Sequence, residues 1–336
     1  MAGATRFSVM TFRGILLTKD DDGVHAAITD IDESQLPDHD VLIDVSHSTV
    51  NYKDGMAVMG RPGVVRGYPM VPGVDVVGTI AESSNPDWEP GTLVTINGFD
   101  VGEAHWGGFA EKARMKSEWL TKVPEGMTAS QAAAVGTAGY TAMLCVIALE
   151  KQGLKPSNGP VIVTGAAGGV GSVAVAVLAK LGFEVIASTG RADAEGDYLR
   201  RLGATTVIDR AELSEPGKPF QKPAYAGAID PVGSSTLANV LARMQDNGVV
   251  TACGLAQGSD LSTTVLPFIL RGVTLVGINC VHRSQQDRNE AWARLVQDLD
   301  ASLLDEITST VSLDGVAQVA QDILDGQVRG RVVVEL

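Results

Sequence analysis

The chain has 336 residues, a mass of 35.1 kDa and a formal net charge of −14, with 45% hydrophobic and 20% charged residues. This composition excludes a disordered chain, and the length favours two domains of roughly 150 residues each. The acidic balance disfavours nucleic acid and anionic membranes as partners. An anionic ligand must therefore meet basic groups that are placed locally.

The three cysteines, Cys145, Cys253 and Cys280, form no C-x-x-C pair. Such sparse usage is typical of a reducing compartment and argues against a disulfide scaffold. The first fifteen residues contain no apolar stretch followed by a small-residue cleavage site, and we expect no apolar run of the ~18 residues that a membrane span requires. The sequence thus predicts a cytoplasmic protein.

The first third of the chain is predicted to be rich in β-strands. Short runs with many β-branched residues are separated by Gly and Pro, and they occupy residues 12–17, 41–50, 74–80 and 93–97. Apolar and polar side chains alternate from residue 41 to 46, as in a half-buried antiparallel strand. The acidic segment 20–23 predicts a turn between early strands.

The pattern changes at Thr128, which with Gln131 forms a predicted capping box at the start of an Ala-rich helix. Predicted strands then alternate with helices, and the strands are 161–164, 185–187, 206–208, 226–230, 249–253 and 275–278. This alternation predicts βαβ units and a parallel sheet. An amphipathic helix is predicted at 290–299, preceded by a solvated start at 285–290. The final strand, 331–336, is expected to return to the first domain.

A glycine-rich loop, Ala-Ala-Gly-Gly-Val-Gly at residues 166–171, lies between a predicted strand and a predicted helix. This context is typical of a dinucleotide-binding loop, whose helix N-terminus offers free N–H groups to the phosphates. Gly168 lets the backbone approach the pyrophosphate, and Gly171 permits close packing of helix and strand. Ala166 replaces the first glycine of the pattern, and a tight turn without ligand is the alternative interpretation.

The end of the second nucleotide-binding strand indicates which dinucleotide binds. An NAD-binding fold usually has an Asp or Glu there for the ribose 2′-hydroxyl. This chain instead has Ser188, Thr189, Gly190 and Arg191. Hydroxyls and a guanidinium suit a 2′-phosphate, so NADPH is the predicted cofactor. The alternative for Arg191 is a surface charge without a ligand.

A zinc site built on thiolates is not expected, because no cysteine precedes Cys145. His47 and His105 lack patterned partners and are interpreted as surface or core residues. We therefore predict no metal. Without a Lewis acid, conjugate hydride addition is favoured over alcohol oxidation, since hydrogen-bond donors can stabilise the enolate.

The chain resembles the zinc-independent quinone oxidoreductase branch of the medium-chain dehydrogenases/reductases over nearly its whole length. The stretches that carry the resemblance are Asn-Tyr-Lys-Asp-Gly at 51–55, then 69–75, 105–111, 136–145, the glycine loop, 227–230, 252–256, 267–271 and 330–331, whereas 279–286 departs from the pattern. The resemblance implies an α/β protein with a Rossmann doubly wound parallel sheet at 131–282. It also implies a β-rich, GroES-like catalytic domain formed by 1–130 and 283–336, and a homodimer.

The resemblance further implies the site residues. Tyr52 would lie beside the nicotinamide and donate a proton or bind the substrate oxygen, the alternative being a ring packed there for shape. Asn51 is the second catalytic candidate, although Asn51 and Asp54 are also candidates for fixing the loop. The implied cofactor-binding residues are Tyr52, Ala167, Gly168, Gly169, Val170, Ser188, Thr189, Gly190, Arg191, Arg210, Leu255 and Arg331. A solvated loop charge is the alternative for Arg210, and a charge at a sheet edge is the alternative for Arg331.

The expected activity is NADPH-dependent reduction of the 2,3 double bond of a short enoyl thioester, acrylyl-CoA to propanoyl-CoA. Arg61 and Arg66 are candidates for the basic rim that the phosphates of an enoyl-CoA substrate need. One alternative is a quinone or α,β-unsaturated carbonyl reductase with the same fold. Another is a protein that binds NADPH without catalysis.

Overall fold

A computed structural model describes residues 10–336. In this range the strands form a two-stranded, a six-stranded and a seven-stranded sheet. The elements before residue 123 are β1 (Thr11–Asp20), β2 (Gly23–Asp32), β3 (Val41–Thr49), α1 (Tyr52–Val58), β4 (Asp75–Ser83), β5 (Leu93–Asn97), β6 (Lys112–Met115) and β7 (Thr121–Lys122). The four strands predicted here are confirmed, and so is the turn, which joins β1 to β2.

The middle of the chain alternates strands and helices, as predicted. Its elements are α2 (Ala129–Lys151), β8 (Val161–Val163), α3 (Gly169–Lys180), β9 (Val185–Thr189), α4 (Ala192–Arg201), β10 (Thr206–Asp209), α5 (Ala211–Ser214), β11 (Tyr225–Asp230), α6 (Ser234–Ala242), β12 (Met244–Ala252), α7 (Leu266–Arg271) and β13 (Thr274–Gly277). The sheet order is β10-β9-β8-β11-β12-β13, and each pair of neighbours is parallel. This is a doubly wound sheet whose order reverses between β8 and β11, where such sheets bind ligands.

The carboxyl-terminal elements connect the two large sheets. They are α8 (Gln285–Asp298), α9 (Ala301–Ile307), β14 (Thr308–Ser312), α10 (Val316–Leu324) and β15 (Arg331–Glu335). β15 pairs with β3, so the predicted return of the last strand to the first domain is confirmed. The apolar sides of α8 and α9, including Trp292, Leu295 and Leu304, pack in the same buried cluster as β8 and α3.

The helix α2 lies at the centre of that cluster. Its capping box is confirmed: the Thr128 hydroxyl accepts from the Gln131 N–H, and the Gln131 side chain accepts from the Thr128 N–H. By length and composition α2 could cross a membrane, and the expectation that no apolar run reaches that length is wrong here. However, 89% of its most apolar window is buried inside the protein, as expected of a core helix.

Candidate active site

Tyr52 is the first residue of α1 and lies three positions after the last residue of β3. Its side chain is 45% exposed. The helix is short and is fixed by Asp54, whose carboxylate accepts from the Asn51 N–H at 2.8 Å and from the Val74 N–H at 2.9 Å. The second of these bonds ties α1 to the chain just before β4. Asp54 therefore fixes the loop that presents Tyr52.

Asn51 precedes Tyr52 and directs its amide into the protein. Its Nδ2 donates to Thr49 Oγ1 at 3.0 Å and to Asp75 Oδ2 at 2.9 Å. Its Oδ1 accepts from Arg331 Nη1 at 3.1 Å. Because both ends of the amide are used inside the protein, this arrangement supports a positioning role. A direct catalytic role for Asn51 stays a prediction.

Arg331 is 2% exposed and lies in the interior, so the interpretation as a charge at a solvent-facing sheet edge is wrong. Its Nε donates to the Ala134 carbonyl at 2.9 Å, and its Nη2 lies 3.7 Å from Asp75 Oδ2. Burial lowers the pKa of Arg331, and the charges of Asp75 and Asp54 oppose that shift. The guanidinium is thus held by buried partners on the β3, β4 and α2 sides.

Asp54 is buried with a pKa that differs strongly from its ordinary value. Burial and the nearby negative charge of Asp75 raise the pKa of the Asp54 carboxyl to about 7, although N–H donors from Asn51 and Val74 act in the opposite direction. In the unfolded chain the same group ionises near 3.8. Between pH 3.8 and about pH 7 the folded protein therefore holds the Asp54 proton more strongly than the unfolded chain does, and proton binding favours the folded state.

We expect Asp54 to make the protein less stable as the pH rises from about 4 to about 7, since the unfolded state loses its proton first. Above that window the loss should be constant. Urea unfolding of the wild type and of Asp54→Asn at several pH values isolates this contribution as their difference in unfolding free energy. The wild type should lose stability relative to the variant through the window. A difference that does not change with pH would contradict the assignment.

The glycine loop connects β8 to α3, as predicted for a dinucleotide cradle. A Cβ on Gly171 would lie 2.4 Å from the Gly165 carbonyl oxygen, so only glycine fits this close approach of helix and strand. Ala167 is buried, and its carbonyl accepts from the Gly330 N–H at 2.9 Å. A Cβ on Gly169 would lie 3.0 Å from Arg331 Nη1. Arg331 therefore supports the N-terminus of α3 from one side. Val170 is half-buried in the first turn of the same helix.

The end of β9 presents two guanidinium groups around Gly190. Arg191 donates to the carbonyls of Gln327 at 2.6 Å and Val328 at 3.0 Å. Arg210 follows β10 and lies against Gly190, where an added Cβ would be 2.6 Å from its Nε. Within residues 10–336, the exposed Arg210 guanidinium donates to no protein acceptor. Arg210 is therefore free for a ligand, whereas Arg191 already has protein partners.

Ser188 and Thr189 are buried, with 1% and 4% of their surface exposed. The Ser188 carbonyl accepts from the Ala166 N–H at 3.0 Å, which fixes the glycine loop against β9. Leu255 follows β12 and is 63% exposed. The predicted cofactor residues on β8 to β10 and β12 therefore follow the carboxyl ends of parallel strands, where a dinucleotide is expected. Their individual contacts with a cofactor stay predictions.

Sequence reasoning missed the buried polar cluster beneath Tyr52. Besides Asn51 and Arg331 it contains Thr49, Asp75, Asn97 and Thr137. The partners of Asp75 come from distant parts of the chain, so no local pattern joins them. A charged residue at the start of an otherwise apolar strand was the available signal.

The described part of the chain contains no group of three or more His, Cys, Asp or Glu side chains arranged to hold a metal ion. His47 Nδ1 lies 2.9 Å from Ser46 Oγ. His105 packs against the rings of His39 and Trp119. Both imidazoles thus have ordinary structural neighbours.

Comparison with known proteins identifies the family. Residues 37–125 match the alcohol dehydrogenase GroES-like domain, and residues 169–297 match the zinc-binding dehydrogenase domain. The chain is 46% identical to the probable acrylyl-CoA reductase AcuI of Escherichia coli, over 96% of this chain and 99% of that protein. It is 47% identical to the acrylyl-CoA reductase AcuI of Ruegeria pomeroyi, over 97% and 99%.

A solved structure is equally similar. The yhdH oxidoreductase of Salmonella enterica, in complex with NADP, superposes with a TM-score of 0.94 at 46% identity, over 96% of this chain and 99% of that chain. The predicted fold class, a Rossmann sheet with a GroES-like domain, is confirmed by these matches. The chain belongs to the medium-chain dehydrogenase/reductase family of oxidoreductases, in the quinone oxidoreductase-like branch that contains the AcuI and yhdH proteins.

Proposed function

We propose that this protein reduces the 2,3 double bond of a short enoyl-CoA, acrylyl-CoA to propanoyl-CoA, with NADPH as the reductant. The observation that carries the proposal is the position of Tyr52 next to Asn51, whose amide is bound by the same arginine that supports the glycine loop. The AcuI relatives, similar over almost their full length, support the substrate class. The yhdH structure in complex with NADP supports the cofactor.

The described residues fit NADPH. Gly171 allows α3 to pack closely against the glycine loop, and the first turn of α3 lies at the end of that loop. The end of β9 carries no acid that would repel a 2′-phosphate. Asp209, at the end of β10, turns its carboxylate to the Ala211 N–H at 2.8 Å, beside the free Arg210. A cation without a protein partner suits a phosphate group.

NADPH, when bound, supplies the hydride that adds to the β-carbon of the enoyl group. We assign one of two tasks to the Tyr52 hydroxyl: it gives the proton to the α-carbon, or it donates a hydrogen bond to the thioester oxygen where negative charge develops. Asp54 and Asn51 hold the start of α1, so the exposed phenol of Tyr52 projects from a fixed backbone. Such preorganisation is the main contribution a protein makes to this chemistry.

A group of exposed basic side chains, which includes Lys53 directly after Tyr52, suits the phosphates of CoA. Lys53 Nζ binds Glu103 at 2.7 Å, and Arg66 and His282 bind the two oxygens of Asp100 at 3.2 and 3.8 Å. The acids are mostly buried, with 10% and 18% of their side chains exposed, whereas the three basic side chains are 46% to 63% exposed. The acids thus hold basic groups toward solvent in a protein that is acidic overall. Arg61 adds an exposed charge nearby in sequence.

A substrate panel tests the proposal. The purified protein should oxidise NADPH faster with acrylyl-CoA than with crotonyl-CoA, a simple enone or a quinone, and NADH should be a poor substitute. Turnover with quinones or enones but not with acrylyl-CoA would favour the alternative reductase. NADPH binding without turnover of any acceptor would favour a non-catalytic protein.

We also propose a zinc-independent, cytoplasmic homodimer. Family members with zinc have a Cys and a Gly-His-Glu where this chain has Asn-Tyr-Lys-Asp at 51–54 and Gly-Val-Asp at 73–75, and these segments supply neither a thiolate nor an imidazole. The six-stranded sheet ends at β13, and the neighbouring residues Val265, Ile269 and Leu270 are 65%, 69% and 60% exposed. An exposed apolar patch beside an edge strand supports a second copy as partner.

The domain boundaries that we propose remain those after residues 130 and 282.

A further inference from the structure

We propose that Asp75 is a positioning residue for hydride transfer, whose buried carboxylate holds Asn51 and Arg331 and thereby connects the glycine loop to Tyr52. This inference rests on the proposed function, because it assigns a part of the same site. Asp75 itself is fully buried at the start of β4 and has no route to a substrate. Its effect must therefore pass through its neighbours.

The partners of the Asp75 carboxylate are donors from several separate elements. Oδ1 accepts from Asn97 Nδ2 at 2.6 Å, from the Thr137 N–H at 2.9 Å and from Thr137 Oγ1 at 2.6 Å. Oδ2 accepts from Asn51 Nδ2 at 2.9 Å and from Thr49 Oγ1, and it faces Arg331. Every one of these partners is a donor, so both oxygens of Asp75 act only as acceptors here. Asp75 is thus a shared acceptor at a junction of strands and helices.

The contact with α2 depends on a local break in that helix. Gly136 has φ of 47° and ψ of −161°, which frees the Thr137 N–H from the helical pattern. A Cβ on Gly136 would lie 2.6 Å from Arg331 Nη2 and 2.8 Å from Asp75 Oδ2. The chain therefore bends where the Asp75–Arg331 pair approaches its backbone. A long core helix is tied in this way to the strands beneath Tyr52.

Arg331 completes the connection toward the cofactor loop. The same guanidinium donates to Asn51 Oδ1 and Thr49 Oγ1 at 3.1 Å each, and it abuts Gly169 at the first turn of α3. Asn51 is bonded in sequence to Tyr52. A shift of Arg331 would therefore have two effects at once. It would move Asn51, the residue before Tyr52, and it would weaken the support of the glycine loop. Small displacements of this kind are costly for catalysis, about 100-fold for a misplacement near 1 Å.

The test is the variant Asp75→Asn, which keeps the size of the side chain but turns an acceptor into a donor. In either orientation the new NH2 group faces donors, which are Asn97 and Thr137 on one side of the amide or Thr49, Asn51 and Arg331 on the other. The arrangement of these partners must therefore change. We expect kcat to fall about 10-fold or more, in the range seen when catalytic groups are displaced. Because Arg331 supports the glycine loop, the Kd for NADPH, measured by fluorescence without any acceptor, should rise several-fold.

A double-mutant cycle separates positioning from general damage. If Asp75 acts through Tyr52, the losses of kcat in Asp75→Asn and Tyr52→Phe should combine to less than their product, as for residues that act as a unit. Losses that simply multiply would overturn the proposal. If Asp75→Asn does not fold, Thr137→Val is the milder test, because it removes a single hydroxyl donor to Asp75. It is expected to lower kcat a few-fold. An unchanged kcat in Thr137→Val would then count against the proposal.

Asp298→Asn is the matched control. Asp298 is also a buried carboxylate paired with an arginine, Arg294, but it lies on α8 away from this cluster. It should lower the Tm without changing kcat or the Kd for NADPH. Kinetics are measured with whichever acceptor the wild type reduces, so a different substrate would refute the proposed function alone. If no acceptor is turned over, an unchanged Kd for NADPH in Asp75→Asn would still overturn the positioning role.

Discussion

Replacing Tyr52 with Phe is expected to lower kcat for enoyl reduction by about 100-fold or more, the usual size of a general-acid contribution. The structure makes this a clean experiment. Within residues 10–336, the Tyr52 hydroxyl has no protein hydrogen-bond partner, and the side chain is 45% exposed. Removing the oxygen therefore breaks no internal contact, and the Tm should stay unchanged. Steady-state kinetics with NADPH and the preferred acceptor give the measurement.

Tyr140→Phe is the matched control for this change. The Tyr140 hydroxyl is buried without a partner in the described chain, and burial raises the pKa of Tyr140 to about 12, so the group is neutral in the working range. Its loss should leave kcat unchanged. If Tyr52→Phe also leaves kcat unchanged, the role of Tyr52 is to pack against the nicotinamide ring. A loss of kcat together with a loss of the solvent deuterium isotope effect would favour proton donation over binding of the thioester oxygen.

The parts of the fold that follow from local patterns could be predicted. Short apolar runs and turn residues are enough to predict the alternation of strands and helices from β8 to β13. The capping box at Thr128 marks the start of α2 in the sequence. β2 was missed because most of its residues are exposed, so it carries no apolar alternation. α1 has seven residues and contains Gly55, and Asp54 in its first turn is held by the distant Val74 N–H. Short elements held by distant contacts leave no local signal.

The same reasoning explains the site. The glycine loop was predictable because strand, turn and helix are consecutive. The cluster around Asp75 was not, since Asn51 and Arg331 meet across 280 positions of sequence. A single arginine near the carboxyl end can equally face solvent, and only the fold shows that it is 2% exposed. Consecutive motifs therefore yield candidate cofactor residues from the sequence, whereas a cluster assembled from distant segments is visible only in the fold.

The recognition of the 2′-phosphate gives the second large expected effect. We expect Arg210→Ala to raise the KM for NADPH by about 10- to 100-fold, the equivalent of roughly 1.5–3 kcal/mol for hydrogen bonds to a charged group. The KM for NADH, which lacks that phosphate, should hardly change. Arg210 has no competing protein acceptor in the described chain and lies against Gly190 at the end of β9. Equal losses with both cofactors would refute a role at the 2′-phosphate.

Arg191→Ala should behave differently because its guanidinium holds the carbonyls of Gln327 and Val328. That loop leads into Arg331, so the variant should lose Tm and weaken both cofactors in addition to any loss specific to NADPH. Arg200→Ala is the charge-matched control, since Arg200 is exposed on α4 and pairs with Asp197. It removes the same charge from the acidic protein without touching the end of β9. If Arg200→Ala changed the preference for NADPH as much as Arg210→Ala, discrimination would come from the overall field and not from a contact at Gly190.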